Sequence, residues 1–162
     1  MRLALANLVQ TAHIVGIVVW LGSDFTVFAL SLSLLDRKLP IAVRIDRARL
    51  AQRFDGWVLW AFLATPPLGI WLAWLRGYEL FATSWLALKM AMLGVIFLIA
   101  VAIVAGAAGT TTLLEQIAEG SGDVERLERQ LRKRVIGLAY PVLALHLLLV
   151  AMIFVAVAKW VF

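Results

Sequence analysis

Four ionisable residues stand inside long apolar stretches of this chain: His13, Asp24, Lys89 and His146. An ionisable side chain in hydrocarbon is expensive unless it is paired or faces a cavity, so each is a candidate for chemistry. On a helix turning about 100° per residue, Gln10, Gly16, Trp20 and Asp24 fall within about 60° of His13. That face carries an imidazole, an amide, a small residue, an indole and a carboxylate. It is expected to turn inward, with Gly16 admitting another helix or a flat cofactor. The helical neighbours of His146 are Ala139, Val142, Leu143, Leu149, Val150 and Ile153. No local group serves its ring, so its partner is expected on another helix, in water or on a cofactor. Counted inward from the helix ends, the two histidines lie within one or two turns in depth and could face one ligand. Lys89 either snorkels outward or meets an anion. Asp24 lies deeper, where hydroxyls, Trp20 or a first-loop arginine could bind it.

Haem b needs one or two imidazoles from a bundle interior, an apolar slot and cationic groups for its propionates. His13 and His146 could supply the iron ligands and Lys89 the cation. Gln10 is the nearest group able to hold the second nitrogen of His13. Trp20 and Trp60 could pack on the macrocycle. Zinc wants three or four ligands, and His13, His146 and Asp24 could supply three, although their depths differ. Copper(I) favours Met and Cys. Cysteine is absent, and Met90 and Met92 do not share a helical face. The plain structural alternative is that both histidines only hydrogen-bond between helices. No serine–histidine–acid spacing, phosphate loop or nucleic-acid motif is visible.

The elements that must position these groups are membrane helices. Of 162 residues, 64% are hydrophobic and 15% charged, with a mean hydropathy of +0.96. Soluble domains and disordered chains are both excluded by that balance. Apolar runs at Leu3–Leu35, Phe54–Leu75, Trp85–Ala107 and Val135–Phe162 are each long enough to span a bilayer. They lack two-residue alternation and predict an all-α, integral membrane four-helix bundle in one domain. The first run is expected to be retained, since only Arg2 precedes it and no small-x-small cleavage site follows.

Eleven of the 15 Lys and Arg fall in loops 36–53 and 108–134; Arg2, Arg76 and Lys159 lie on the other side. The positive-inside rule then makes both loops cytoplasmic and both termini external. Trp74, Tyr78, Trp85 and Trp160 mark the outer interface. Gly120, Ser121 and Gly122 break the third loop, after which Asp123 can cap a helix running into the fourth span. Glu125–Arg129 and Glu128–Arg132 have the spacing of intrahelical pairs. The first loop is expected to be a solvated connector or an amphipathic segment on the inner leaflet. Pro66 and Pro67 interrupt the second span; their kink either widens the bundle around a ligand or is simply tolerated, as in many membrane helices, and Pro141 raises the same question in the fourth.

The stretch from His13 to Gly22, with Trp20 seven residues after the histidine, resembles the first helix of a group of small four-span membrane proteins. The group includes HemJ-type protoporphyrinogen oxidases, CopD-like copper-resistance proteins and the DUF2269 proteins, whose overall arrangement this chain resembles most. A basic first loop, a Gly-containing second helix and Trp85-Leu-Ala-Leu-Lys89 agree. The HemJ-type resemblance implies haem b binding at His13 and Lys89, with oxidation of a porphyrinogen. Ser23-Asp24-Phe25 departs from the usual HemJ-type signature, and His146 maps to nothing in it. The function expected is haem-based electron transfer or membrane oxidation chemistry in a bacterial inner membrane, with quinone as a partner and a homo-oligomer open. The rivals are an accessory subunit of a larger membrane complex and a CopD-like copper or small-solute transporter.

Overall fold

The computed structural model describes residues 1–120 and 122–158. Ser121, Lys159 and Trp160, all used in the sequence expectations, lie outside the described residues, as does the end of the fourth run. Five helices follow in order: α1 Arg2–Ser33, α2 Ile41–Leu75, α3 Ser84–Ala107, α4 Thr110–Ala118 and α5 Val124–Val157. Four helices, with α4 counted as the continuation of α3, are long and apolar enough to cross a membrane. The fold is an all-α four-helix bundle, and no strand occurs among the described residues.

Helix ends follow local chemistry. Asp123 caps α5 by accepting from the Arg126 N–H at 3.1 Å, and α5 then runs unbroken into the apolar stretch, as expected. Gly109 at φ 77° breaks the chain between α3 and the short α4, which the sequence reading missed. The first loop is a correction. Residues 41–53 form neither a connector nor a separate segment; they are the opening turns of α2. Ile41, Ile45 and Ala48 share one face, and that face packs on Leu34, Leu114, Leu131 and Val135. Burying this stripe favours continuing the helix over leaving the segment solvated. Pro66 and Pro67 stand inside the continuous α2, and Pro141 inside α5, without ending either helix. A membrane helix can lose a proline's donor while its neighbours keep it in register.

α1 packs along α2, and α3 along α5; α4 bridges α2 and α5, and α1 also touches α5. Two buried clusters result. One, at the end rich in Arg and Lys, is the Leu34–Ala48–Leu114–Leu131–Val135 group. The other lies nearer mid-bundle, around Trp20, Ala61, Ile96, Leu145 and Leu149. Beyond it, toward the start of α1 and the turn after Arg76, the helices line a partly open cavity.

Candidate ligand cavity

His13 is positioned by a close contact of α1 with α2. Ala61, Thr65, Gly69 and Ala73 recur every fourth residue on α2, a stripe of small side chains that lets backbones approach. A Cβ built on Gly16 would lie 2.6 Å from Thr65 Oγ1, and one on Gly69 would lie 2.8 Å from His13 Cε1. Gly16 therefore admits a second helix, one of the two roles its size suggested. His13 Nδ1 lies 2.9 Å from the Thr65 carbonyl oxygen. A carbonyl only accepts, so Nδ1 carries the proton. The neutral ring then keeps its lone pair on Nε2, which has no hydrogen bond among the described residues.

The cavity has a volume of 420 Å³, within the usual range for ligand sites. All four long helices contribute: His13 and Trp20 from α1, Thr65 and Gly69 from α2, Lys89 from α3 and Met152 from α5. Trp20 is nearly fully buried and forms part of the floor, its ring edge-on to Phe62 at 5.2 Å. Phe62 in turn stacks on Phe97.

Two cations reach the cavity. Lys89 Nζ lies 5.9 Å from the Trp85 ring centroid, the geometry of a cation–π contact. The Trp85-x-x-x-Lys89 spacing makes that contact possible, because residues four apart share a helix face. Arg76 donates to the Gln10 side-chain oxygen. Neither cation has a carboxylate partner among the described residues.

Several expectations are corrected here. Gln10 holds Arg76, and the second nitrogen of His13 is held by the Thr65 backbone. His146 does have a local partner, since its Nδ1 lies 2.8 Å from the Val142 oxygen one turn back. Its Nε2 lies 3.3 Å from Asp24 Oδ2, so Asp24 meets His146 rather than Trp20, a hydroxyl or an arginine. His146 does not line the cavity. Asp24 is eleven residues past His13 on α1, roughly 16 Å along the axis. Counting depth from helix ends failed because the ends are not flush: Val157 closes α5 while already lining the cavity beside His13. Trp60 is 74% exposed and faces away. Among the described residues no group of three His, Cys, Asp or Glu could hold a metal, so the zinc set is not assembled.

Thr65, Gly69 and Arg76 were missed by sequence reasoning. The four-residue repeat of small side chains on α2 was the available signal for the first two. Arg76 carried none beyond its charge.

The comparisons with known proteins decide little. No protein-family model, curated protein or solved structure matches the chain. What the cavity does follows from its own geometry.

Proposed function

We propose that the chain is an integral membrane haem b protein with a redox role, electron transfer or oxidation chemistry, and that the cavity is its site. The observation that carries this is His13. Its Nδ1–H is anchored on a backbone carbonyl, its Nε2 is left as the donor, and it lines an apolar cavity. Axial histidines are held in this way, because a fixed Nδ1–H sets the tautomer and the ring orientation. The donor set fits the group: one imidazole, an apolar slot floored by Trp20, and two cations without a carboxylate among the described residues, for the propionates. His13 and Lys89, the two positions of the HemJ-type resemblance, line the same cavity. Haem, when bound, supplies one-electron chemistry. The chain's residues orient it through His13 and Thr65, neutralise its carboxylates with Lys89 and Arg76, and exclude water beneath it. On this reading the chain offers one axial histidine and not two.

The Arg- and Lys-rich end is read as cytoplasmic, which puts the cavity and both termini outside in a bacterial inner membrane. A membrane quinone, or a larger complex including a second copy, is the redox partner that setting offers. Cysteine introduced at Gly77 should then react with an impermeant reagent from outside, and cysteine at Gly122 only after lysis. The reverse pattern would overturn the orientation.

A second reading has one observation in its favour. Met90 and Met152 line the cavity with His13, and thioether with imidazole suits copper(I). The absorption spectrum of the purified protein separates the readings. A Soret band that disappears in His13→Ala, with helix content intact, is expected. A colourless protein that binds copper(I) through His13 would establish the second reading. A colourless protein that binds neither would leave an accessory subunit of a larger membrane complex.

A further inference from the structure

The cavity leaves Asp24 and His146 unused. They meet between α1 and α5, about one turn nearer the Arg- and Lys-rich end than Trp20 and Leu149. Asp24 Oδ2 and His146 Nε2 are 3.3 Å apart, with side chains 16% and 17% exposed. Both atoms are buried, and neither makes a hydrogen bond to any other group among the described residues. The Nδ1 proton is already committed to the Val142 carbonyl. Two bare acceptors at that distance would repel, so the contact is attractive only with a proton between them. With that proton the pair is neutral, whether drawn as imidazolium and carboxylate or as imidazole and carboxylic acid. Without it, an unpaired carboxylate stays in apolar surroundings, which is costly.

The groups facing the pair are few. On α2, Asp55 is exposed; the Gly16–Thr65 and His13–Gly69 contacts of the antiparallel α1 and α2 put it within about one turn of the level of Asp24. The single ionisable residue of α3 is Lys89, in the cavity. From Val135 to Val157, α5 carries no ionisable side chain but His146 and Tyr140, which is exposed. Phe25 and Phe28 flank the imidazole, with ring centroids at 6.1 and 6.2 Å. Toward the cavity, the Trp20, Ile96, Leu145 and Leu149 side chains form an apolar seal.

We propose that Asp24 and His146 form a proton-loading site inside the membrane, filled through Asp55 from the Arg- and Lys-rich end and closed toward the cavity. A proton from water adds to the Asp55 carboxylate and passes to the Asp24 carboxylate. It comes to rest between Oδ2 and Nε2, and Asp55 returns to its starting state. No electron moves, and the only bonds made or broken are those to the proton. The site does not depend on what the cavity binds.

The chain has two histidines, so isotope-labelled imidazole nitrogens in bilayers give two rings, assigned with His146→Gln. His146 Nε2 should share with Asp24 a proton that exchanges with water, seen either as an imidazolium nitrogen or as a nitrogen accepting from a carboxylic acid. Asp55→Asn should slow that exchange by about a hundredfold, the usual contribution of a positioned general acid or base. Asp24→Asn should remove the shared proton, Asp24→Glu should retain it, and Glu79→Gln at the opposite end should change nothing. A His146 Nε2 that neither carries the shared proton nor accepts a hydrogen bond from it, or exchange indifferent to Asp55→Asn, overturns the proposal. So does a slowed exchange in Glu79→Gln, which would mean a global change.

Discussion

The two ends of the bundle treat positive charge in opposite ways. At the Arg- and Lys-rich end, Arg44 is 3% exposed and forks onto Glu128, with Nη1–Oε1 at 2.6 Å and Nη2–Oε2 at 2.9 Å. Its Nε also donates to the Leu34 carbonyl at 2.9 Å, tying α1, α2 and α5 together. Arg37 and Arg49 hold further carboxylates, Glu125 and Glu115. Around them Leu34, Leu114 and Leu131 are almost fully buried. At the other end Lys89 and Arg76 meet an indole and an amide, and the helices part around a cavity. One end buries a cation on its own carboxylate and closes. Among the described residues, the other keeps Lys89 and Arg76 without counter-charges, which is the arrangement an anionic ligand requires.

Breaking the closed end should have the largest effect. Glu128→Ala would leave Arg44 buried without its partner, and should cost about 3–5 kcal/mol in equilibrium unfolding in bicelles. The combined Arg44→Met and Glu128→Leu variant should recover most of that loss, because replacing a whole buried pair is often neutral. A small effect of Glu128→Ala alone would show that this end is not the lock described. Next is the helix contact behind His13. Gly16→Ala drives a Cβ against Thr65 and should destabilise by about 1–3 kcal/mol, as overpacking does. Gly94→Ala, where nothing lies within 4 Å, should instead stabilise by up to about 1 kcal/mol through helix propensity. Equal effects at the two glycines would remove the argument for a tight α1–α2 contact.

The open end should respond through its ligand. With haem in the cavity, as proposed, Lys89→Met should weaken its binding about tenfold, the loss of one charge-assisted contact at about 1.5 kcal/mol. Lys89→Arg should keep more of the affinity, since the charge survives. Identical titrations for both variants and the parent would make Lys89 a snorkelling residue. The smallest effect is expected at an exposed pair of the closed end. Arg49→Ala should change stability by about 0–1 kcal/mol, because both Arg49 and Glu115 are screened by solvent. A loss as large as that of Glu128→Ala would mean that the charges at this end act as one network.

Much of the fold was legible because it depends on composition along the chain. Long apolar runs need helices, Asp123 is a capping residue where a cap is needed, and Gly120 and Gly122 break the chain before it. The inward turn of the His13 face was legible too, since Trp20 on that face is buried and His13 lines the cavity. The pairings were not. Glu125 and Glu128 had equally good partners four residues on, but they bind Arg37 and Arg44 from other elements. Arg129 turns back to Asp123. Local spacing offers a partner worth a few tenths of a kcal/mol, and for Glu128 a buried bidentate contact outweighs it.

The sequence by itself determined the membrane-helix count, most helix ends and the identity of the polar groups inside the spans. Those properties follow from the transfer of side chains and peptide groups into hydrocarbon, which each segment undergoes alone. Tertiary structure decided which polar groups meet. The helix ends are staggered, so His146 is level with Asp24 and not with His13. The Thr65 carbonyl, which no side-chain pattern announces, takes the Nδ1 proton of His13. Two histidines of similar counted depth were thereby given different work, one at a ligand cavity and one beside a carboxylate. Register between helices is set by how small and large side chains interdigitate, and a single helix does not contain that information.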